Sequence, residues 1–275
     1  MDLIDNKELQ NTRKIIAITK SGGSISNKFN YKIEKLNCRL MVVKTSKIVK
    51  SDSNSLIEIF NLISKMSSGY IIFLSSNAVD IFFEIATSLN VVNKTVDDLN
   101  SKFTVIAIGP ATKSTLIKNN IVGSKVPHDH SSLGIIELLS QLKNDKYEST
   151  IIIPRSKRAD KFLKEQLIEL GFEIDEFYIY NVIPAEVNSL WLEFFKLVRK
   201  QKIDSLIFTS PSNVNYFINI IDNHSSDLLP LVSKIKLILS IGPLTSKVLF
   251  KYNIPFSESK NHSLEGIYET LYMEL

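Results

Sequence analysis

The amino-acid sequence predicts an α/β fold with two similar parallel-sheet domains. Short apolar runs alternate with amphipathic helical patterns, and two motifs recur about one domain length apart. The motif Phe73–Val79 returns at Phe208–Val214, an offset of 135 residues, and the motif around Gly109 returns around Gly242, an offset of 133 residues. Such a period suits a duplicated domain rather than a solenoid repeat.

The predicted strands are rich in β-branched residues and apolar throughout, which is typical of buried parallel strands. They are Lys14–Thr19, Leu40–Val43, Tyr70–Ser75, Thr104–Ile108, Thr150–Pro154, Glu173–Tyr178, Ser205–Thr209 and Lys236–Ile241. Helical periodicity follows most of them, at Asn77–Leu89, Pro110–Asn119, Leu133–Leu142, Ala159–Leu170, Leu190–Lys200, Asn213–Ile221 and Pro243–Lys251. Alternation of strand and helix builds parallel sheets with right-handed crossovers.

The strands divide unevenly about the repeat, because the second copy has two clear strands and two others precede the first copy. We therefore expect residues 1–45 and 183–275 to form one discontinuous domain, and residues 46–182 to form an inserted domain. Two chain crossings, near Lys44–Lys50 and Tyr180–Val187, would join the domains and permit hinge motion. A cleft between two domains is then the expected ligand site.

Composition narrows the class of partner. Lys and Arg (33) slightly outnumber Asp and Glu (29), which suits an anionic small molecule and not a nucleic-acid partner. The single cysteine, Cys38, excludes an intrachain disulfide and is expected to be a buried, inert thiol. No apolar run approaches the ~20 residues of a membrane span, and Met1–Glu8 lacks the basic start of a signal peptide. A cytoplasmic protein without a membrane partner is predicted.

Small polar residues, Gly and Pro follow several predicted strands, at the sheet edge where open α/β folds bind ligands. Each turn there combines a helix cap with free backbone N–H groups that favour an anion. Any one of these turns alone is best explained as an ordinary helix cap, whereas matched pairs favour an anion-binding cleft. The candidate binding residues are Ser75, Ser76, Asn77, Gly109, Thr112, Thr209, Ser210, Ser212, Gly242 and Thr245. Ser21–Ser24 is a weaker candidate, as a backbone nest for an anion.

Other catalytic patterns are poorly represented. The sequence contains no dinucleotide or Walker fingerprint and no nucleophile elbow. His128-Asp129-His130 resembles a pair of metal ligands but has no third ligand at a useful spacing, so no metal site is expected. His224 and His262 are expected to be isolated and solvated. The absence of these catalytic patterns from the sequence indicates an enzyme without strong acid–base groups, or a binding protein.

The ordered set of motifs resembles the uroporphyrinogen-III synthase family. The resemblance rests on the two strand-end elements that begin at Phe73 and Phe208, the duplicated Ile-Gly-Pro-x-Thr element, Ile153-Pro154-Arg155, and a strand that closes at Tyr180. It implies two flavodoxin-like α/β domains joined by two linker crossings, with the active site between them. It also implies that neither a metal nor an organic cofactor is needed, and that the protein is a monomer.

The resemblance further implies a reaction: hydroxymethylbilane is closed to uroporphyrinogen III with inversion of the last pyrrole ring and loss of water. Functional coupling to hydroxymethylbilane synthase follows, since that enzyme supplies the substrate. By resemblance Tyr180 is the candidate catalytic proton donor, with a purely structural tyrosine as the alternative. The resemblance adds these residues to the substrate-binding set: Thr19, Lys20, Arg155, Ser156 and Arg158.

Three positions depart from the family pattern. Lys20 stands where an arginine is usual, Val182 where a threonine is usual, and Asp160 where an arginine is frequent. A lysine keeps the charge of arginine but not its fork geometry. These departures keep a second hypothesis open, in which the chain is a non-catalytic two-lobed module that binds an anionic tetrapyrrole or another polycarboxylate.

Overall fold

The computed structural model describes residues 13–21, 25–52, 56–142 and 150–275. Within these residues the strands are β1 (Lys14–Lys20), β2 (Cys38–Lys44), β3 (Ser46–Lys50), β4 (Gly69–Phe73), β5 (Phe103–Ala107), β6 (Thr150–Ser156), β7 (Glu173–Pro184), β8 (Ser205–Phe208), β9 (Leu237–Ser240) and β10 (Ser257–Glu258). The helices are α1 (Asn27–Lys35), α2 (Ile57–Lys65), α3 (Ser76–Ser88), α4 (Val92–Lys102), α5 (Pro110–Lys118), α6 (Ser132–Leu142), α7 (Phe162–Glu169), α8 (Ser189–Arg199), α9 (Pro211–His224), α10 (Leu228–Val232), α11 (Pro243–Lys251) and α12 (Leu264–Glu274).

These elements form two five-stranded sheets, with strand orders β10-β9-β8-β1-β2 and β3-β7-β6-β4-β5. Strand pairs β1–β2, β1–β8, β8–β9 and β9–β10 are parallel, as are β4–β5, β4–β6 and β6–β7. Helices connect most successive strands. The predicted α/β class with two parallel sheets is confirmed.

The described residues separate into two compact units. Unit 1 combines those up to Lys47 with Ile183–Leu275, and unit 2 comprises those within Ile48–Val182. The two passages of the chain between the units fall within β3 and β7, which are neighbouring strands of one sheet. The sequence predicted linkers at these two places. That each unit is an independent domain, with the boundaries given above, stays a prediction.

In unit 1, apolar side chains cover both faces of the sheet. Successive residues Ile16, Ala17 and Ile18 of β1 are all fully buried. Because successive side chains of a strand point to opposite faces, both faces of the sheet are covered. One face packs on an aromatic cluster that includes Trp191 and Phe217, whose ring centroids lie 5.6 Å apart. The Trp191 indole also donates a hydrogen bond to the Lys44 carbonyl at 2.9 Å. This bond joins α8 to the end of β2.

In unit 2, the sheet is likewise buried on both faces. Phe73 at the end of β4 packs edge-on against Phe82 of α3, with ring centroids 5.3 Å apart. Ile72, the preceding residue, belongs to the core cluster on the opposite face together with Ile135 and Leu163. Because β4 and β5 are parallel neighbours, the turns that follow them lie at the same edge of the sheet.

All the predicted strands are present, with ends shifted by a few residues. The prediction missed β3 and β10, and the helical patterns given above do not include α1, α2, α4, α10 and α12. Helix α7 begins at Phe162, whereas the periodicity predicted a start at Ala159. The difference arises because the Arg155 guanidinium donates a hydrogen bond to the Asp160 carbonyl at 2.8 Å, which holds the preceding residues in a loop.

Candidate active site

At the carboxyl edge of the unit 1 sheet, one buried amide joins three strand ends. Asn213 of α9 is 2% exposed. Its Oδ1 accepts hydrogen bonds from Ser21 Oγ at 2.5 Å and from Thr45 Oγ1 at 2.8 Å, and its Nδ2 donates to Thr209 Oγ1 at 2.8 Å. The Thr209 hydroxyl in turn donates to the Thr19 carbonyl at 2.8 Å. The network fixes the turns after β1, β2 and β8 relative to one another.

The duplicated strand-end motif forms the same helix cap in both units. Ser210 Oγ accepts a hydrogen bond from the Asn213 N–H at 3.2 Å, and Ser75 Oγ accepts one from the Ala78 N–H at 3.1 Å. Both serines have extended backbones, as N-cap residues do. The next two positions lie in the first turn of each helix, where Ser76 is half-buried and Asn77 and Ser212 are exposed. Each cap thus presents the positive end of a helix dipole at the sheet edge.

The second duplicated motif places a glycine before each helix. Gly109 and Gly242 have extended backbones with φ of −164° and 172°, which any residue can adopt. Space is tight only at Gly242, where a Cβ would lie 3.3 Å from the His262 ring, whereas a Cβ on Gly109 would make an ordinary contact at 3.6 Å with His130. The threonines predicted to bind substrate, Thr112 and Thr245, are buried in α5 and α11.

Tyr180 of β7 lies beside the strand-end turn of unit 2. Its hydroxyl is 3.2 Å from Ser75 Oγ, and the residue is 7% exposed. Its carbonyl accepts a hydrogen bond from the Lys157 N–H at 2.9 Å, and it pairs with Ser156 of β6 in the sheet. The structure therefore brings together Ser75, Ser156 and Tyr180 from the predicted set.

Arg155 is buried and already holds an anionic partner. Its Nη1 lies 2.5 Å from Glu176 Oε1, while Lys164 Nζ lies 3.3 Å from the other Glu176 oxygen. The guanidinium is 4% exposed, and the Glu176 side chain is 7% exposed. Burying a charge is costly unless it is paired, so this pair neutralises the guanidinium within unit 2. A direct contact between Arg155 and a substrate stays a prediction.

The remaining predicted residues lie at the ends of β1 and β6. Thr19 is fully buried and its hydroxyl donates to the Ile207 carbonyl at 3.0 Å, so it serves the sheet. Lys20 is half-buried beside it. In the loop after β6, Arg158 is exposed, and its backbone N–H donates to Ser156 Oγ at 3.3 Å. Lys20 and Arg158 place positive charge near the carboxyl edges of their sheets.

Other sequence candidates have different outcomes. Gly22, Gly23 and Ser24 of the proposed nest, like residues 1–12, lie outside the described residues. Cys38 is buried as predicted, and burial raises the pKa of its thiol. His224 is exposed but stacks on Phe195, with centroids 4.3 Å apart, and exposed His262 lies 3.5 Å from Glu258, so the expectation of isolated side chains was wrong for both. In the part of the chain that the structure describes, no three His, Cys, Asp or Glu side chains converge as metal ligands.

Sequence reasoning also missed Thr45 and Asn213, and it considered Ser21 only as part of a backbone nest. Asn213 occupies the second motif at the place where Ala78 stands in the first, and this polar replacement within a repeat was the available signal. The other two partners come from the ends of β1 and β2, far away in sequence. Among the described helices, none combines the length and apolar character that a membrane crossing requires.

Two parallel sheets whose carboxyl edges carry capped helix N-termini, hydroxyl groups and basic side chains define an α/β protein suited to a polyanionic small molecule. The family described as Uroporphyrinogen-III synthase HemD matches residues 27–269, which is most of the chain. The chain therefore belongs to the uroporphyrinogen-III synthase family, whose members are cyclising hydro-lyases of tetrapyrrole biosynthesis.

Solved structures agree on the fold. A mutant uroporphyrinogen III synthase from the extremely thermophilic bacterium Thermus thermophilus is 14% identical, and the alignment covers 94% of this chain and 97% of the other with a TM-score of 0.62. Uroporphyrinogen-III synthetase from Helicobacter pylori is 17% identical, with 95% and 99% of the two chains covered and a TM-score of 0.59. At this identity the likeness establishes the fold alone.

Proposed function

We propose that the protein converts hydroxymethylbilane into uroporphyrinogen III, with inversion of the last pyrrole ring and loss of water. The family match across residues 27–269 is the observation that carries this proposal. The substrate bears eight carboxylates. Helix N-termini, hydroxyls and basic side chains at the strand ends are groups that suit such a polyanion.

Each unit uses its own strand-end edge to hold part of the substrate. The proposed binding residues of unit 1 are Thr19, Lys20, Thr209, Ser210, Ser212, Gly242 and Thr245. Those of unit 2 are Ser75, Ser76, Asn77, Gly109, Thr112, Arg155, Ser156 and Arg158. Thr19, Thr112 and Thr245 are buried, so their contribution is to shape the turns, whereas the exposed Asn77, Ser212 and Arg158 reach the carboxylates directly.

Tyr180 is the proposed proton donor for the departing hydroxyl group. Electrons of the pyrrole nitrogen assist that departure, so the donor has to supply only modest catalysis. The contact with Ser75 at 3.2 Å supports this role, because it holds the phenol beside the cap of α3. The larger task is positioning, since the terminal ring must be attacked at its substituted carbon through a spiro intermediate.

A coupled assay tests the proposal. Hydroxymethylbilane synthase would supply the substrate to the purified protein, and chromatography would resolve the product isomers. We expect isomer III to predominate over isomer I, which forms without an enzyme. Isomer I alone, at the rate seen without the protein, would overturn the proposal.

The alternative is a non-catalytic module that binds an anionic tetrapyrrole or another polycarboxylate. The Arg155–Glu176 ion pair favours it, because a cation expected at the substrate is neutralised within unit 2. Fluorescence titration with uroporphyrin III separates the two hypotheses, since the module would bind this polycarboxylate without forming isomer III.

Three further properties belong to the proposal: the protein acts as a monomer, works in the cytoplasm and couples functionally to hydroxymethylbilane synthase. Light scattering would measure the mass in solution, and adding the synthase would test the coupling. A stable dimer, or a rate unaffected by the way substrate is supplied, would count against the first and the last of these.

A further inference from the structure

Three polar side chains form a chain of contacts at the carboxyl edge of unit 1. Ser246 Oγ donates a hydrogen bond to Glu258 Oε2 at 2.5 Å, and the other oxygen of Glu258 lies 3.5 Å from His262 Nε2. Ser246 is 8% exposed and also contacts Ser240 Oγ at 2.9 Å. The carboxylate is thus anchored on its buried side and faces an imidazole on its exposed side.

Main-chain pairing with β9 fixes the position of Glu258. The two-residue strand β10 pairs Glu258 with Ser240, the last residue of β9, and the next N–H, of Ser259, donates to the Ser240 carbonyl at 2.9 Å. His262 follows with a φ of +44°, a left-handed conformation that few residues other than glycine adopt. The Ser263 side chain then caps helix α12. The loop between β10 and α12 is therefore tightly constrained.

The orientation of the His262 ring leaves one nitrogen for a ligand. Its Cγ–Cδ2 edge faces Gly242, since a Cβ on that glycine would lie 3.3 Å from both atoms. Nε2 lies 3.5 Å from Glu258 Oε1, so Nδ1 is the second ring nitrogen that a ligand can contact. The side chain is 55% exposed, and no described residue forms a hydrogen bond with Nδ1. A carboxylate that orients an imidazole while its second nitrogen stays open is an arrangement suited to proton transfer.

Unit 2 has the histidine without the carboxylate. Ile106 of unit 2 forms a parallel bridge with Lys125, and the matching pair in unit 1 is Leu239 with Ser257. The residue after Lys125, Val126, therefore corresponds to Glu258, the residue after Ser257. His130 follows Val126 by the same four residues that separate His262 from Glu258, and it packs on Gly109. Val126 packs against the core instead. Within the described ranges no acidic side chain lies at ion-pair distance from His130.

Stability explains only part of the cluster of unit 1. An ion pair as exposed as that of Glu258 and His262, at 35% and 55% exposure, typically contributes little to the free energy of unfolding. The hydrogen bond from the buried Ser246 hydroxyl to the carboxylate contributes to stability, and it also fixes the orientation of the carboxylate. A fixed orientation is what a proton-transfer pair requires.

We infer that His262 transfers protons in the proposed cyclisation and that Glu258 is its positioning residue. The inference rests on the proposed function. Tyr180 gives its proton to the departing hydroxyl of hydroxymethylbilane, and the C–O bond breaks with both electrons leaving on oxygen, as water. When the last C–C bond closes the macrocycle, the pyrrole carbon loses its proton to the neutral imidazole of His262. Exchange with solvent returns a proton to Tyr180 and removes one from His262, so the net change is the loss of one water.

Chemical rescue tests the inference. His262→Gly removes the imidazole, leaves space for a free one and tolerates the positive φ. We expect kcat for isomer III to fall by about a hundredfold, the low end for general acid–base catalysis, with KM nearly unchanged. Added imidazole should raise the rate of the variant severalfold. Glu258→Gln should lower kcat by less than His262→Gly, because it only loosens the orientation of the ring.

The matched control is His130→Gly, which removes the equivalent ring from unit 2 and should show no increase in rate with imidazole. An active wild type together with a full-rate His262→Gly variant would overturn the inference alone. A well-folded His262→Gly variant whose loss imidazole does not reverse would also overturn it. A wild type that forms no isomer III would overturn the proposed function, and with it this role for His262.

Discussion

In unit 1 the turn after β8 is tied to the ends of β1 and β2 through Asn213, whereas in unit 2 the matching residue is Ala78. The unit 2 turn is tied instead to β7, by the contact between Ser75 and Tyr180. Both turns keep the same serine cap on the following helix. The duplicated motif therefore has the same helix N-terminus in both units, while the side chains that hold it in place differ.

This difference gives the two edges different chemistry. In unit 1 the buried network satisfies its own hydroxyl and amide groups, so the proposed ligand contacts fall to backbone N–H groups, Lys20, Ser212 and the Ser246–Glu258–His262 chain. In unit 2 a phenol stands beside the cap, Lys113 stands at the position of Ser246, and Val126 stands at the position of Glu258. We therefore expect variants of the two edges to differ in kind as well as in size.

The largest effect is expected from Ser210→Leu. The leucine removes the cap of α9 and fills the turn where a substrate carboxylate meets backbone N–H groups. The rate of isomer III formation should fall by roughly 10²–10³, as when an oriented backbone-type donor is lost. Steady-state kinetics with enzymatically supplied hydroxymethylbilane would measure this loss.

Ser210→Ala is the matched control, because it removes the cap hydrogen bond without filling the turn. Its cost should appear mainly in stability, at about 1 kcal/mol. Circular dichroism would confirm that both variants are folded. Equal rates for Ser210→Leu and the wild type would show that substrate does not approach this turn.

The next effect is expected from Asn213→Ala, which gives unit 1 the alanine that unit 2 carries. The hydroxyls of Ser21, Thr45 and Thr209 then lose a buried partner, so the free energy of unfolding should fall by about 2 kcal/mol. Urea titration would measure the midpoint. Asn219→Ala on the exposed face of the same helix is the control, with a change within about 0.5 kcal/mol, and equal shifts for both would contradict the network.

The sequence predicted much of this fold because buried parallel strands carry a strong apolar signal. The missed strand β10 has two exposed residues and β3 is exposed along most of its length, so neither carries that signal. The strand-end turns were predictable for a similar reason, since Ser, Gly and Pro directly follow buried strands.

The partners of the site residues were less predictable. Arg155 matched a family motif, but its ion pair with Glu176 depends on the register between β6 and β7. The pairing of Glu258 with His262 likewise depends on β10, which no pattern in the sequence indicates. Periodicity reports which face of an element is buried, whereas these contacts depend on which elements are neighbours.

A smaller effect is expected from Tyr180→Phe. The phenyl ring keeps the packing of Tyr180 but loses the hydroxyl beside Ser75. We expect kcat to fall about tenfold, and by no more than about a hundredfold, because positioning supplies most of the catalysis. Kinetics of isomer III formation would measure the loss, with Tyr178→Phe on the same strand as the control. Complete inactivity of a folded Tyr180→Phe variant, beside a normal Ser210→Leu variant, would make the phenol the centre of the mechanism.

The smallest effect is expected on stability, from the exposed ion pair of unit 1, and it is compared with the buried ion pair of unit 2. In unit 2 Arg155 and Glu176 are buried, whereas in unit 1 Arg199 Nε meets Asp227 Oδ2 at 3.0 Å and both side chains are exposed. Hydrogen bonds from Arg199 and Ser225 lower the pKa of Asp227 from 3.8 to about 2. A carboxyl whose pKa is lower in the folded than in the unfolded chain stabilises the fold above its unfolded pKa, and this stabilisation is lost as the pH falls through the folded pKa.

Asp227→Asn should therefore lower Tm slightly at neutral pH, and its difference from the wild type should shrink between pH 3.8 and about 2. Because solvent screens an exposed pair, the difference at neutral pH should also shrink in high salt. Glu176→Gln in unit 2 should cost far more stability at neutral pH, since it leaves the buried Arg155 without its counter-charge. Scanning calorimetry across pH and salt would measure both variants. Equal losses of Tm for the two variants at neutral pH would show that burial does not distinguish the two ion pairs.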